Sequence, residues 1–274
     1  MPATFTILGS RGYVGSHLAA YLQSLPDSIV RLDAGASLTG NLGHVFFCIG
    51  VTTDFASRLH DTMRAHVSKV IEILDTHEFE SFTYLSSTRV YERGVGGDES
   101  AVLSSQPASL ADFYKISKIA GEAVCLTHPN PAVRVARLSN VIGFELPPLT
   151  FVPSLIRDAL NHGRIVLRTS PDSAKDYILI EDALAALVHI ARSGRERVYN
   201  VSSGIQISHR QIAERIAATL RCEWEAHVGG AVSIFPDTPA TRLQTELGLH
   251  AGSILDKLPA LCSRYADLKQ PTSN

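Results

Sequence analysis

Three glycines at three-residue spacing, Gly9, Gly12 and Gly15 in the run GSRGYVG, follow the first apolar stretch of the chain. A dinucleotide's pyrophosphate needs a tight turn, close backbone approach and the positive end of a helix. Glycines allow the first two because a Cβ would obstruct both, and free helix N–H groups supply the third. The run therefore makes Gly9, Arg11, Gly12, Tyr13, Val14 and Gly15 candidate cofactor-binding residues. A plain strand–helix turn with small residues for packing is the other reading; the place of the run, between first strand and first helix, favours the cofactor. Asp33 closes the next strand-like segment at about the distance expected of the acid that accepts hydrogen bonds from the adenosine ribose. A carboxylate there repels a 2′-phosphate and favours NAD. Arg11 could pair with that phosphate, so NADP stays possible.

Tyr114 and Lys118 stand four apart on a helix-like segment and so share one face. Upstream, a strand-like segment ends in Ser86 and Ser87. Interconverting an alcohol and a carbonyl requires a proton to be moved while hydride moves. A phenol, with a pKa near 10, is a poor base at neutral pH. A nearby ammonium stabilises the phenolate and lowers that pKa. Lys118 is expected to do this and to hold the nicotinamide ribose, while Ser87 hydrogen-bonds the substrate oxygen. The bland alternative is a buried tyrosine, a surface lysine and a strand-end serine. The same spacing recurs at Tyr265 and Lys269, remote from the glycine turn, and is read there as chance.

These residues require a scaffold, and the chain alternates strand and helix. Thr4–Leu8, Ile29–Asp33, His44–Ile49, Phe82–Ser86 and Val133–Leu138 read as buried strands. Helical periods run through Val14, Leu18, Tyr21 and Leu22 and through Met63, Val67, Val70, Ile71 and Leu74. A further helix covers Ala111 to Leu126, with Ile119, Ala120, Ala123 and Val124 for packing. Near-continuously apolar strands between helices imply a doubly wound parallel α/β sheet. After Asn140 the pattern loosens. Helices are expected near Ser154–Asn161, Glu181–Arg192, His209–Leu220 and Ile254–Tyr265, and strands at Ile165–Arg168, Tyr177–Ile180 and Val198–Val201. The expected division is a dinucleotide-binding domain over 1–143 completed by 169–195, a smaller substrate cap over 144–168 and 196–269, and a disordered tail over 270–274.

At 274 residues, 45% apolar and 19% charged, the chain has the balance of a globular protein with a sizeable core. A net charge of −2 excludes a generally basic nucleic-acid binder. The longest apolar run, Val45 to Val51, is far short of a bilayer span, so no membrane partner is expected. The N-terminus enters a strand-like segment with no basic leader, which reads as no signal peptide. Cys48, Cys125, Cys222 and Cys262 lie far apart and read as reduced core thiols of a cytoplasmic protein. The 11 histidines show no ligand spacing, so no metal is expected, and His60 and His66 read as surface residues.

The chain resembles the extended short-chain dehydrogenase/reductase family, the NAD-dependent sugar-nucleotide epimerases and dehydratases, from the glycine turn to about Leu247. The resemblance rests on GSRGYVG, YLSSTRVY (Tyr84–Tyr91), YKISK (Tyr114–Lys118), ARLSNVIG (Ala136–Gly143), KDYILIEDA (Lys175–Ala183) and VYNVSSG (Val198–Gly204). It implies a Rossmann-like domain with a C-terminal substrate-binding cap, commonly a homodimer. It also places Cys48, Ile49 and Gly50 along the cofactor cleft, and Ser87 as the catalytic hydroxyl with Ser86 structural. Two departures bear on function. Sugar 4,6-dehydratases of the family carry acids immediately after that hydroxyl, where this chain has Thr88 and Arg89; neither can do the acid–base work of eliminating water, so a 4,6-dehydratase is not expected. The family's diphosphate-gripping arginine before Asp176 is Lys175 here, and the segment 223–241 has no Lys or Arg. Thr88, Arg89, Asn140 and Lys175, with Ser87, are the candidate substrate contacts. Asn140 could touch substrate or the nicotinamide side of the cleft, or close an Asx turn.

The expected function is thus NAD-dependent oxidation and reduction at a ring carbon, carbon 4, of a nucleotide-linked sugar, with Ser87, Tyr114 and Lys118 as catalytic residues. Alternatives are an NAD(P)H-dependent ketoreductase of a keto-sugar or small carbonyl compound, and a non-catalytic dinucleotide-binding sensor. The presence of all three catalytic residue types speaks against the sensor.

Overall fold

The computed structural model describes residues 2–268 apart from 34–37, 53, 228, 231 and 234. In chain order the elements are β1 (Ala3–Leu8), α1 (Tyr13–Ser24), β2 (Ser28–Leu32), β3 (His44–Phe47), α2 (Leu59–Met63), α3 (Lys69–Thr76), β4 (Ser81–Ser87), α4 (Leu110–Thr127), β5 (Val133–Leu138), β6 (Asn140–Ile142) and α5 (Phe151–His162). There follow β7 (Arg164–Leu167), β8 (Ala174–Leu179), α6 (Ile180–Ser193), β9 (Val198–Val201), β10 (Gln206–Ser208), α7 (His209–Leu220), β11 (Glu223–Ala226), α8 (Thr241–Leu247) and α9 (Ile254–Asp267). A π-helical turn, Arg64–Ser68, joins α2 to α3, and a 3₁₀ turn, Thr88–Tyr91, follows β4.

Six parallel strands form the main sheet in the order β2-β1-β3-β4-β5-β9. Alternate side chains leave it on opposite faces. Phe46 packs with Leu18 and Leu22 of α1 and Ala183 and Leu187 of α6. Val45 and Phe47 pack on the other face with Val70 and Ile73 of α3 and Cys125 of α4. Strand order reverses between β1 and β3, with β2 on one side and β4 on the other. Crossovers leaving such a point go to opposite faces and open a crevice at the C-terminal strand ends, where open α/β sheets bind ligands.

The cap is built from β6, β8 and β10 in one small sheet and β7 and β11 in another, with α5, α7 and α9 around a separate apolar core. The division differs from the sequence reading. β9 belongs to the main sheet, paired with β5 from Val135↔Val198 to Leu138↔Val201, while β8 belongs to the cap. The short strands β6, β10 and β11 and helix α8 were not expected at all. Strands of three or four residues carry too little periodicity to stand out, and their pairing partners are distant. The expected tail 270–274 lies outside the described residues.

Three faces also turned out differently. β2, expected to be buried, is an edge strand with Ile29 46% exposed. In the α2–α3 region Thr62, His66, Val70, Ile73 and Leu74 point inward, while Ile71 is exposed. In α4 the buried face is polar, with Tyr114, Ser117, Lys118, Gly121 and Glu122, and the apolar Ile119, Ala120, Ala123 and Val124 are not fully buried. Gly121 makes this possible: a Cβ there would overlap the His66 carbonyl oxygen and the Tyr84 hydroxyl.

Candidate active site

The glycine turn leaves β1 at the crevice. Gly9 has φ +89°, and a Cβ on it would stand 2.7 Å from the Cys48 carbonyl carbon and the Ile49 nitrogen. A Cβ on Gly15 would overlap the Gly9 carbonyl oxygen. Both glycines are therefore required by the protein's own packing. Gly12 is not: a Cβ there would meet nothing closer than 3.4 Å. Gly12 is the N-cap of α1 and offers no side-chain cap, so the first N–H groups of the helix stay available. Open space over uncapped helix N–H groups suits a phosphate. We expect Gly12→Ala to cost about 1 kcal/mol of stability or less and to weaken dinucleotide binding at least tenfold, as read by thermal unfolding and by titration with NAD. Equal affinity in the variant would exclude this turn as the diphosphate cradle.

Asp33 lies against the same turn. Its carboxylate accepts hydrogen bonds from Gly9 N at 2.6 Å, Ser10 N at 3.2 Å and Ser10 Oγ at 2.7 Å. Burial works against its charge, but these donors outweigh burial and hold the carboxyl below its usual range. Arg11 is exposed. The side chains of Tyr13 and Val14 are half-buried against the core, and their backbone N–H groups open α1. Cys48 continues β3 through a hydrogen bond from its N–H to Leu8 O at 2.7 Å. Gly50 sits where a Cβ would be 3.2 Å from His66 Nε2 and 3.6 Å from Lys118 Nζ, which joins the glycine-turn side of the crevice to α4.

Ser87, Tyr114 and Lys118 reach the crevice from β4 and α4. The Ser87 hydroxyl stands near the Tyr114 phenol and accepts from Arg89 N at 3.3 Å. Tyr114 is 5% exposed, with its ring 5.6 Å from those of Phe55 and His66. Burial pushes the phenol's pKa up, and the Arg89 charge and the nearby Ser87 hydroxyl pull against it. The Arg89 guanidinium carbon lies 4.9 Å from the ring centroid. Lys118 Nζ donates to Leu85 O at 2.9 Å and lies 5.0 Å from the Tyr84 ring centroid. Burial lowers Lys118 to about 8, with Glu122 opposing the shift. Arg89, read from sequence as a substrate contact, is thus the cation that bears on the phenol here.

Two supports behind the site were missed. His66, read as a surface residue, is fully buried. Its Nε2 accepts from Val51 N at 3.1 Å, which leaves Nδ1–H to donate to Ser117 Oγ at 2.8 Å; Ser117 in turn donates to Tyr114 O at 2.7 Å. The π-helical turn presents His66 to the crevice, and its place one turn before Val70 on the inward stripe was the available signal. The second support is a buried ion pair, Arg137 Nη2 to Glu122 Oε2 at 2.6 Å, with Ser86 Oγ donating to Glu122 Oε1 and Arg137 Nη1 donating to Tyr91 OH at 2.7 Å. This cluster ties β4 and β5 to α4 directly beneath the trio.

On the cap side, Asn140 starts β6, is exposed, and donates from Nδ2 to Asp176 O at 2.8 Å. Asn140 and Lys175 share a cavity of about 280 Å³ with Thr150, Thr169, Tyr177 and His209. Thr88 is buried in its 3₁₀ turn. Tyr265, of the second tyrosine–lysine spacing, hydrogen-bonds the backbone of Glu145, and Lys269 lies outside the described residues. A larger cavity, about 410 Å³ between α6 and α9, is lined by none of the trio. Among the described residues no cluster of His, Cys, Asp or Glu is placed to hold a metal ion, and no helix is long and apolar enough to cross a membrane.

Known proteins resemble this chain in sequence and in fold. A dTDP-D-glucose 4,6-dehydratase of Dictyostelium discoideum is 26% identical over 262 residues, covering 77% of this chain and 60% of that protein. Among solved structures, RMD from Pseudomonas aeruginosa complexed with NADPH superposes with a TM-score of 0.79 at 22% identity, covering 97% of this chain and 99% of that one. UDP-glucose 4-epimerase from Thermotoga maritima with UDP-glucose gives 0.79 at 15% identity, covering 97% and 100%. Residues 42–202, more than half of the chain, match the model of the NAD dependent epimerase/dehydratase family. With that match, the chain belongs to the NAD-dependent epimerase/dehydratase family.

Proposed function

We propose that the protein moves hydride between NAD and a ring carbon, carbon 4, of a nucleotide-linked sugar, giving epimerisation if the keto-sugar is reduced on its other face before release. The observation that carries this reading is the meeting of Ser87 and Tyr114 at the C-terminal edge of the parallel sheet, beside the glycine turn. NAD, when bound, supplies the hydride acceptor and donor. The N–H groups at Tyr13 and Val14 would hold its diphosphate, Asp33 its adenosine ribose and Lys118 its nicotinamide ribose. Tyr114 takes the hydroxyl proton from the sugar and returns it. Ser87 donates to the same oxygen and fixes its position against the phenol. Thr88 and Arg89 supply no carboxylic acid next to Ser87, which supports a reaction other than 4,6-dehydration. The separated, unpaired cysteines support a reducing compartment such as the cytoplasm. The partly buried apolar residues on α4 support a homodimer.

A ketoreductase using NADPH is the second reading. It is favoured by the exposed Arg11 in the glycine turn and by the cap, where Arg242, the first basic residue after the 223–241 segment, is held by Glu99, Glu196 and Val198 O. Asp33→Ala distinguishes the two: NAD preference over NADP should fall at least tenfold, and an unchanged ratio would remove Asp33 from the ribose site. The proposal itself is tested by native mass spectrometry of the purified protein, followed by assays with UDP-, GDP- and dTDP-sugars. One NAD per chain and a new sugar epimer are expected. Empty protein inert toward all three classes would overturn it.

A further inference from the structure

A buried histidine joins two walls of the crevice. One wall is the segment 48–51 that continues β3. It packs directly on the glycine turn, where a Cβ on Gly9 would stand 2.7 Å from the Ile49 nitrogen. The other wall is the turn of α4 that carries Tyr114, Ser117 and Lys118. His66 reaches both, with Nε2 3.1 Å from Val51 N and Nδ1 2.8 Å from Ser117 Oγ. Its ring stands edge-on to that of Tyr114, with centroids 5.6 Å apart at 86°. Its carbonyl accepts from Tyr84 OH at 3.2 Å, so β4 holds the backbone that presents it. That backbone is the π-helical turn Arg64–Ser68, a rare geometry that recurs at functional sites.

The direction of the donors fixes the form of the ring. The Val51 N–H can only donate, so Nε2 is the bare, accepting nitrogen and Nδ1 carries the proton. Nδ1–H then donates to Ser117 Oγ, and the Ser117 hydroxyl directs its own hydrogen to Tyr114 O at 2.7 Å. All three hydrogens point the same way, from residue 51 toward α4. A second proton on the ring would set Nε2–H against Val51 N–H and break the chain at its first link. The groups that face the ring are Tyr114, Ser117 and Lys118 of α4 and the backbone of residues 50 and 51; none is an anion that would favour the charged form. Burial, and then the Lys118 charge, hold the imidazole down at about 3, so the ring is neutral near pH 7.

We infer that His66, protonated on Nδ1, is a positioning residue that clamps the wall beside the glycine turn to the turn of α4 bearing Tyr114, so that one side chain sets both the place of the dinucleotide and the place of the phenol. The inference rests on the reading above, in which this crevice holds NAD and Tyr114 moves the proton. His66 acts through Val51 and Ser117 and takes no part in the proton transfer itself.

The test combines NMR of the imidazole nitrogens in the NAD-loaded protein with variants that cut different links. The unaltered protein should show one histidine, absent from His66→Asn, with a proton on Nδ1 and a bare Nε2 from about pH 5 to 8. A proton on Nε2, or titration within that range, would overturn the clamp. Ser117→Ala cuts only the link to α4, so kcat should fall about tenfold or more while the Kd for NAD changes less than about twofold. His66→Leu cuts both links and should also weaken NAD at least about fivefold. His66→Asn, whose amide keeps one acceptor and one donor, should recover part of both losses. A residue that merely supports the fold would lower thermal stability in these variants with kcat and NAD affinity unchanged, and that result would overturn the inference. If His66→Leu does not fold, Ser117→Ala, His66→Asn and the NMR still decide it. Turnover is read with the UDP-, GDP- or dTDP-sugar that the unaltered protein accepts. Should it accept none, the nucleotide-sugar reading fails, while the NMR and the NAD titrations still decide the clamp.

Discussion

Replacing Tyr114 with Phe is expected to lower kcat by about 10²–10⁴-fold, the usual contribution of a positioned general acid or base, while the Kd for NAD changes less than about threefold. The ring of Tyr114 packs against Phe55, His66 and Arg89, and Phe retains those contacts. What it loses is the hydroxyl, set in a buried place where burial raises its pKa while Arg89 and Ser87 lower it. Turnover followed by nicotinamide absorbance, beside a direct NAD titration, separates the two effects. A variant that kept more than a tenth of its activity would place the proton transfer on another group.

The second large effect is on stability. Glu122 and Arg137 are 2% and 4% exposed and joined by three charge-assisted hydrogen bonds, and Ser86 also donates to the carboxylate. Glu122→Ala leaves the guanidinium buried with no counter-charge, a change that costs about 3–5 kcal/mol. For a chain of this size that lowers Tm on the order of 10 °C in calorimetry. The double variant Glu122→Ala with Arg137→Met should recover part of the loss, because an apolar replacement of the whole pair removes the stranded charge. A single-variant loss below about 1 kcal/mol would mean that β4 and α4 are held by other contacts. Glu122 also opposes the effect of burial on Lys118, so its removal should move the Lys118 pKa further below about 8.

The elements that carry the candidate site were legible from residue types and spacing. The glycine turn, Asp33 and the Ser87–Tyr114–Lys118 set lie on the elements where alternation placed them, and the crevice brings them to one end of the sheet. The less legible parts share a cause. His66 reads as a surface residue because no histidine shows ligand spacing; a π-helical turn and two hydrogen bonds bury it. On α4 the packing expected of Ile119, Ala120, Ala123 and Val124 falls instead to a face with Lys118 and Glu122, and charged residues are buried only where partners exist. Those partners lie elsewhere in the chain: Leu85 for Lys118, 33 positions away, and Arg137 for Glu122, 15 positions away.

Read alone, the amino-acid sequence determined the parallel α/β architecture, the glycine turn between β1 and α1 and the family, because period, glycine spacing and contiguous motifs are local properties of the chain. Only the tertiary structure decided that β9 completes the main sheet, that Tyr91 meets Asn200 at a separation of 109 residues, and that Arg89 lies on the ring of Tyr114. Such contacts depend on which distant groups share a desolvated space. There a charge is stable only beside a matching partner, and that partner cannot be read from local spacing.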